Sequence, residues 1–266
     1  MNPEEDFAHI NKNLWNKKTS FHIDSDFYDN PSFIEGRSSL NSIELELLGD
    51  VKGKSILHLQ CHFGQDTISL ARMGAEAVGV DLSDAAIDEA RKLASKTEAN
   101  AKFICCNIYD LPQHLDQQFD IVFTSYGTIG WLPDLDKWAS IIDQFLKPGG
   151  KFVFVEFHPI IWMFDQDINS IVYNYFKDAP IIENNENTYA DNEAEVNLEE
   201  ITWNHSIAEV FTALVSKEMT IASLQEIDYS PYDCFKGLEE FEKGKFRFKK
   251  YGNKIPMVYT FQATKP

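Results

Sequence analysis

The residue with the clearest chemical assignment is Asp81, which directly follows the apolar run at 77–80. An earlier apolar run lies at 56–59, and a helical pattern begins between the two at Gly64. Strand, helix and strand in this order predict a right-handed βαβ unit whose strands end at a crevice for a nucleotide. A carboxylate about twenty residues after the turn can accept hydrogen bonds from two ribose hydroxyls. The spacing therefore predicts an adenosine-type cofactor.

The turn that should lie under this cofactor has the sequence QCHFG at 60–64, with a single glycine. A dinucleotide fold offers G-x-G-x-x-G, in which the first glycines let the backbone approach a pyrophosphate. Because these glycines are missing, a cofactor without a phosphate group fits the turn better than NAD or FAD. Gly64 has two possible roles here, close backbone approach to the cofactor or a simple helix start.

Five segments resemble, in order, the motifs of class I S-adenosylmethionine-dependent methyltransferases. They are ILHLQCHFG at 56–64, GVD at 79–81, CNIYDLP at 106–112, FDIVFTS at 119–125 and LKPGG at 146–150. The turn LQCHFGQDT is similar to that of a bacterial subgroup of these enzymes. It departs from the usual family pattern, because His58 replaces an acidic residue and Gln60 and His62 replace glycines. The resemblance covers residues 50–160 closely and the remainder loosely.

The resemblance implies a Rossmann-like α/β fold with a seven-stranded sheet, mostly parallel with an antiparallel C-terminal edge. It also implies in-line transfer of a methyl group from S-adenosyl-L-methionine, without a covalent enzyme intermediate. Asn107 would accept a hydrogen bond from the adenine amino group and Ile108 would pack on the ring. His58 either accepts from the cofactor's ammonium or is a core histidine. The expected cofactor-binding residues are His58, Gln60, Gly64, Asp66, Thr67, Asp81, Leu82, Asn107, Ile108 and Ser125.

A second group of residues could serve the methyl acceptor. The candidates are His158, Glu156, Tyr126 and His205. Glu156 and His158 lie two residues apart near the end of a strand, so their side chains point the same way, and His158 could act as general base. For each candidate a structural role is the alternative. Tyr126, Trp131 and Trp162 predict an aromatic lining that suits an apolar or cationic acceptor. The histidines show no metal-ligand spacing, so no required metal is expected.

The composition limits the possible partners. The 266 residues include 42 acidic and 24 basic ones, for a net charge of -18. This charge opposes nucleic acid, whose binding needs Lys and Arg contacts with phosphates, and it favours a cationic sulfonium or simply serves solubility. The four cysteines form no CxxC, as expected in a reducing cytoplasm. Without a signal pattern or a long apolar run, neither secretion nor membrane insertion is expected.

The chain divides into a central domain and two additions. We expect residues 1–49 to form a helical extension, which could be a lid or could pack ordinarily, and residues 50–266 to form the methyltransferase domain. Residues 160–203 would be a cap insertion after the fifth strand, with short strands and a mobile acidic loop. The expected function is methyl transfer to a small molecule. The alternatives are a non-catalytic S-adenosylmethionine-binding module, favoured by the altered turn, and a nicotinamide-dependent oxidoreductase.

Overall fold

The chain forms seven α-helices and eleven β-strands within residues 3–191 and 193–266, which are the residues that the computed structural model describes. The helices are α1 (Pro3–His22), α2 (Asn30–Ile34), α3 (Ser42–Leu48), α4 (Gln65–Arg72), α5 (Asp84–Lys96), α6 (Leu135–Phe145) and α7 (Ile207–Val215). The strands are β1 (Ser55–Leu59), β2 (Glu76–Asp81), β3 (Ala101–Cys105), β4 (Phe119–Ser125), β5 (Leu146–Phe157), β6 (Ile181–Asn185), β7 (Leu198–Thr202), β8 (Thr220–Ile227), β9 (Leu238–Glu242), β10 (Lys245–Phe248) and β11 (Val258–Thr264).

The main sheet has the strand order β3-β2-β1-β4-β5-β11-β8. The first five strands pair in parallel, and β11 pairs antiparallel with both β5 and β8. The predicted Rossmann-like fold class is therefore confirmed, with β11 inserted one position from the C-terminal edge. Because parallel strands end at the same edge, β1, β2 and β4 bring the predicted cofactor residues to one place.

Both faces of the sheet are buried. On β1, Leu57 packs with α6 and α7 on one face, and Ile56 packs with α3 on the other. Strand β5 carries the apolar run FVFV at 152–155, and residues 152–157 are all buried. A strand covered on both faces needs no alternation of polar and apolar residues, which explains the sequence pattern.

Helix boundaries follow local capping. Ser83 caps α5, and its Oγ accepts a hydrogen bond from the N–H of Ala86 at 3.0 Å. Helix α3 starts at Ser42, where the Glu44 side chain accepts from the backbone N–H of Asn41. Helix α6 ends at Phe145, and the LKPGG segment that follows belongs to β5.

The insertion contains a separate two-stranded hairpin, β6–β7, paired antiparallel. Asn192, within the predicted acidic loop of this segment, lies outside the described residues. Helix α1 packs on the hairpin, where the Asn11 side chain donates to the backbone oxygen of Ile201 at 2.7 Å and accepts from its N–H at 3.0 Å. The N-terminal extension and the insertion are thus joined to each other. Within the described ranges, no helix combines the length and apolar character that crossing a membrane requires.

Candidate functional site

A cavity of about 680 Å³ lies at the carboxyl ends of β1, β2, β4 and β5. Almost all of the residues predicted from the sequence line it, and Thr67 and His158 are the two that do not. The predicted residues in its wall are His58, Gln60, Gly64, Asp66, Asp81, Leu82, Asn107, Ile108, Ser125, Tyr126, Glu156 and His205. The aromatic residues Trp131 and Trp162 also line it. The sheet therefore collects the cofactor and acceptor candidates around one space.

Asp81 ends β2 with its carboxylate already oriented. Its Oδ2 accepts from the backbone N–H of His62 at 2.8 Å, and its Oδ1 accepts from that of Ser83 at 2.9 Å. Burial raises the pKa of Asp81, and these two backbone donors oppose the rise by stabilising the ionised form. Each oxygen can accept further hydrogen bonds, so the carboxylate can still bind two hydroxyls.

The turn at 60–64 keeps a left-handed backbone although two of its usual glycines are absent. Gln60 has φ 55° and His62 has φ 51°, in the region that glycine adopts without strain. The Gln60 side chain holds the turn by donating to the backbone oxygen of Thr128 at 2.8 Å. The glycine positions of the family pattern thus retain their conformation here, with neighbouring structure compensating the cost.

His58 is a buried histidine in the wall of the cavity. Its Nδ1 is hydrogen-bonded to Thr67 Oγ1 at 2.9 Å, and its ring stacks on Phe123 with centroids 4.9 Å apart. Burial lowers its pKa to about 4. Thr67, which does not line the cavity, is thus bonded to a residue of its wall.

Gly64 is required by packing at the start of α4. Its φ is 80°, and a Cβ added at this position would lie 2.5 Å from the Phe103 ring. The helix-start role that the sequence left open therefore has a direct structural basis.

Two residues follow β3 at the same edge. Asn107 Oδ1 accepts from the N–H of Tyr109 at 3.0 Å and so caps a 3-10 helix. Ile108 is buried beside it. The Asn107 oxygen, which was expected to accept from adenine, thus has one partner within the protein and a second lone pair for another donor.

Glu156 holds the loop that follows β4. It accepts hydrogen bonds from the backbone N–H groups of Gly127, Thr128 and Ile129, and from the Thr128 hydroxyl. This loop begins with Tyr126 in a left-handed conformation, φ 43°. With its oxygens engaged in this way, Glu156 positions the loop that carries Tyr126.

The two histidine candidates make contacts within the protein. His158 Nε2 is 2.8 Å from Glu226 Oε1, away from the cavity, and burial is the main cause that lowers its pKa. His205 lines the cavity, with its Nε2 bonded to the backbone oxygen of Leu132 at 2.8 Å and its Nδ1 3.0 Å from Glu209. His158 and His205 thus lie against different carboxylates, Glu226 and Glu209.

Residues of α1 and of the insertion cover the turn at 60–64; the sequence predicts a possible lid and a cap but not their contacts with this turn. His22 of α1 is hydrogen-bonded through Nδ1 to His62 Nε2 at 2.8 Å and through Nε2 to Thr188 Oγ1 at 2.5 Å. Trp15 packs edge-on against Trp131, with ring centroids 5.2 Å apart. The sequence indicates this cover only through the many aromatic residues in 15–33 and 173–203. The contacting pairs lie far apart in the chain, so no sequence spacing identifies them.

The same helix reaches the residues that follow Asp81. The Asn16 side chain accepts from the Ser83 hydroxyl at 2.6 Å and donates to Asp84 at 2.9 Å. Lys18 lies 3.5 Å from Glu200 of β7, and burial lowers the pKa of this lysine. Helix α1 therefore connects the βαβ unit to the hairpin. In the described part of the chain, no three His, Cys, Asp or Glu residues are grouped to hold a metal ion.

Comparison with known proteins agrees with this geometry. Residues 56–150 match the family model of a methyltransferase domain. A methyltransferase of Synechocystis sp. is 33% identical over 133 residues, which are 49% of this chain and 60% of that protein. The ubiquinone biosynthesis O-methyltransferase of Coxiella burnetii is 34% identical over 104 residues, 39% of this chain and 44% of that one. The chain thus spans about half the length of these curated relatives.

The fold extends beyond the matched segment. Geranyl diphosphate C-methyltransferase from Streptomyces coelicolor, solved with Mg²⁺, geranyl diphosphate and S-adenosyl-L-homocysteine, superposes with a TM-score of 0.60. The alignment covers 100% of this chain and 98% of that one at 17% identity, so it shows a shared fold. Residues 56–150 thus resemble a methyltransferase domain, and the whole chain shares the fold of this C-methyltransferase.

Proposed function

We propose that this protein transfers a methyl group from S-adenosylmethionine to a small, largely apolar molecule by direct in-line displacement. The observation that carries the proposal is that one cavity contains both the carboxylate that ends β2, Asp81, and an aromatic wall beyond the end of β4. A donor and an acceptor held in one enclosed space need no covalent intermediate, because orientation and exclusion of water supply much of the rate.

The cofactor would lie along the strand ends. Asp81 would accept hydrogen bonds from the ribose, and Ile108 would pack on adenine. Gln60 would lie near the methionine end, which places the sulfonium beside Ser125 and Tyr126. The net charge of -18 favours this cation.

The acceptor would occupy the side of the cavity formed by aromatic residues. Tyr126, Trp131, Trp162 and Trp203 line it, together with Phe235. Such a wall binds an apolar or aromatic molecule through buried area and ring contacts. Ubiquinone and geranyl diphosphate, which the names of two similar proteins contain, also have long apolar parts, and this supports the same class.

The two additions would control access. Residues 1–49 would form a lid, and residues 160–203 a cap, around the central domain. His22 and Thr188, one from each addition, meet at the cofactor turn, where His22 contacts His62. A closed cover of this kind excludes water from the transferring methyl group.

The test is incubation of the protein with methyl-labelled S-adenosylmethionine and a small-molecule extract of cells, followed by chromatography of labelled products. We expect a labelled apolar product that needs the folded protein and that excess S-adenosylhomocysteine suppresses. Heat-denatured protein is the matched control. Tight binding of S-adenosylhomocysteine by calorimetry, with no labelled product from any extract, would instead indicate a non-catalytic binding module. A thermal shift with NAD alone would support an oxidoreductase.

A further inference from the structure

Glu44 of α3 is a fully buried carboxyl at the base of the candidate acceptor site. Its side chain is 0% exposed. Its Oε1 accepts from the N–H of Asn41 at 2.6 Å and completes the capping of α3, while its Oε2 accepts from the Tyr126 hydroxyl at 2.8 Å. Helix capping needs only the first oxygen. The second oxygen therefore has a different partner, which lies in the cavity wall.

Tyr126 connects this carboxyl to the cavity. Its ring contacts Phe157 and Tyr232, with centroids 5.5 and 5.1 Å away, and it lines the cavity whereas Glu44 lies behind it. The strained backbone of Tyr126, φ 43°, is maintained by the loop contacts of Glu156. A non-glycine residue in this conformation costs free energy, and such strain persists where the surrounding structure enforces it.

We propose that Tyr126 and Glu44 together take the proton that the acceptor loses on methyl transfer. The inference rests on the proposed function, and it applies to an acceptor whose attacking atom is a protonated oxygen, nitrogen or sulfur. The attacking atom forms a bond to the methyl carbon as the carbon–sulfur bond breaks, and the electron pair of that bond stays on sulfur. The acceptor's proton passes to the Tyr126 oxygen while the Tyr126 proton passes to ionised Glu44. S-adenosylhomocysteine leaves neutral. After the product has left, Glu44 returns a proton to the Tyr126 oxygen and the Tyr126 hydroxyl releases its own proton to water in the cavity, which restores the starting state.

Several groups around Glu44 determine when it is ionised. Burial raises its pKa to about 7, the neighbouring carboxylate of Asp66 on α4 adds to the rise, and the hydrogen bonds from Asn41 and Tyr126 oppose it. Tyr232, from the segment after β8, also faces Glu44 and is bonded to Asn41. A proton acceptor is most effective when its pKa is near the working pH, and Glu44 meets this condition.

The first experiment measures the titration of Glu44 directly. Protein with ¹³C-labelled glutamate carboxyls is titrated by NMR in the presence of S-adenosylhomocysteine, and Glu44 is assigned from the signal missing in Glu44→Gln. We expect a midpoint near 7 in the wild-type protein, and a higher one in Tyr126→Phe because a donor to the carboxylate is lost. A midpoint at the ordinary glutamate value of about 4.3 would overturn the inference.

The second experiment measures labelled product from the extract as a function of pH. Glu44→Gln keeps an oxygen for capping Asn41, and Tyr126→Phe keeps the ring contacts, so both should fold and bind S-adenosylhomocysteine as the wild type does. We expect the wild-type rate to rise through neutral pH. Each variant should lose this rise, and its rate should fall roughly tenfold or more because the general base is missing. The exposed Glu46→Gln on the same helix is the control and should keep both.

The outcomes separate the two proposals. No labelled product from wild-type protein at any pH would refute the proposed function and, with it, the inference. Labelled product whose rate and pH profile are the same in wild type, Glu44→Gln and Tyr126→Phe would refute the inference alone. A variant that merely loses stability would show a lower unfolding temperature but an unchanged profile, which again contradicts proton transfer.

Discussion

Replacing Asp81 with Asn tests the cofactor site most directly. The substitution keeps the shape of the side chain and one acceptor oxygen, but it removes the charge and turns one acceptor into a donor. The new amide NH₂ group then faces one of the former partners of the carboxylate. These partners are the His62 N–H, the Ser83 N–H and the ribose hydroxyls. A hydrogen bond to a charged group contributes about 1.5–3 kcal/mol, so the dissociation constant of S-adenosylhomocysteine should rise roughly ten- to a hundredfold.

The assay is isothermal titration calorimetry, with Asp88→Asn as the control because Asp88 is an exposed carboxylate on α5 that pairs with Arg91 and does not line the cavity. Burial raises the pKa of Asp81, so removing its charge also removes a desolvation cost from the free protein. Thermal unfolding of both variants checks that a loss of affinity is not a secondary effect of a weakened fold. If Asp81→Asn folds normally and binds with unchanged affinity, the assignment of the ribose site is wrong.

Three further predictions concern stability, and each is measured by denaturant unfolding. Glu156→Gln removes the charge that accepts from three backbone N–H groups and should cost about 2–3 kcal/mol; a cost below about 0.5 kcal/mol would contradict the role of Glu156 in holding the loop. Burial lowers the pKa of His22 to about 2. The neutral His22 therefore contributes fully to the free energy of unfolding above about pH 6.5, and this contribution is lost as the pH falls from about 6.5 towards about 2. His22→Gln should reduce the slope of the unfolding free energy against pH, between pH 6 and 4, by up to about 1.4 kcal/mol per pH unit. Gly64→Ala should cost about 1–3 kcal/mol more than Gly149→Ala, because both residues have positive φ but only Gly64 would place its Cβ against Phe103; equal costs would exclude the packing effect.

The fold and the cofactor side of the site could be predicted because each rests on short-range patterns. The run that ends at Asp81 and the serine that caps α5 both act within a few residues of sequence. Topology then brings the strand ends to one edge without further information. The substitutions of glycine at Gln60 and His62 could be detected, but the sequence does not reveal that the backbone keeps its left-handed turn.

The acceptor side was less predictable because its contacts join residues far apart in the chain. Glu44 has the sequence pattern of an ordinary capping residue, and its bond to Tyr126 spans 82 positions. Conversely, the sequence indicates Glu156 and His158 as acceptor-side candidates because they lie at a strand end. In the structure, Glu156 accepts from the loop backbone, and His158 is bonded to Glu226. Side-chain direction at the end of a strand depends on these tertiary partners, and residue type alone does not determine it.

The double attachment of α1 has a kinetic consequence. Asn11 binds β7 while Asn16 binds the start of α5, so the helix spans the hairpin and the βαβ unit. Exposing His62 to solvent requires breaking its hydrogen bond to His22 of α1. If α1 then moves away, either the hairpin moves with it or the Asn11 hydrogen bonds to the hairpin break as well. We therefore expect withdrawal of α1 from the turn at 60–64 to be coupled to movement of the hairpin, so that one rearrangement opens this side of the cavity.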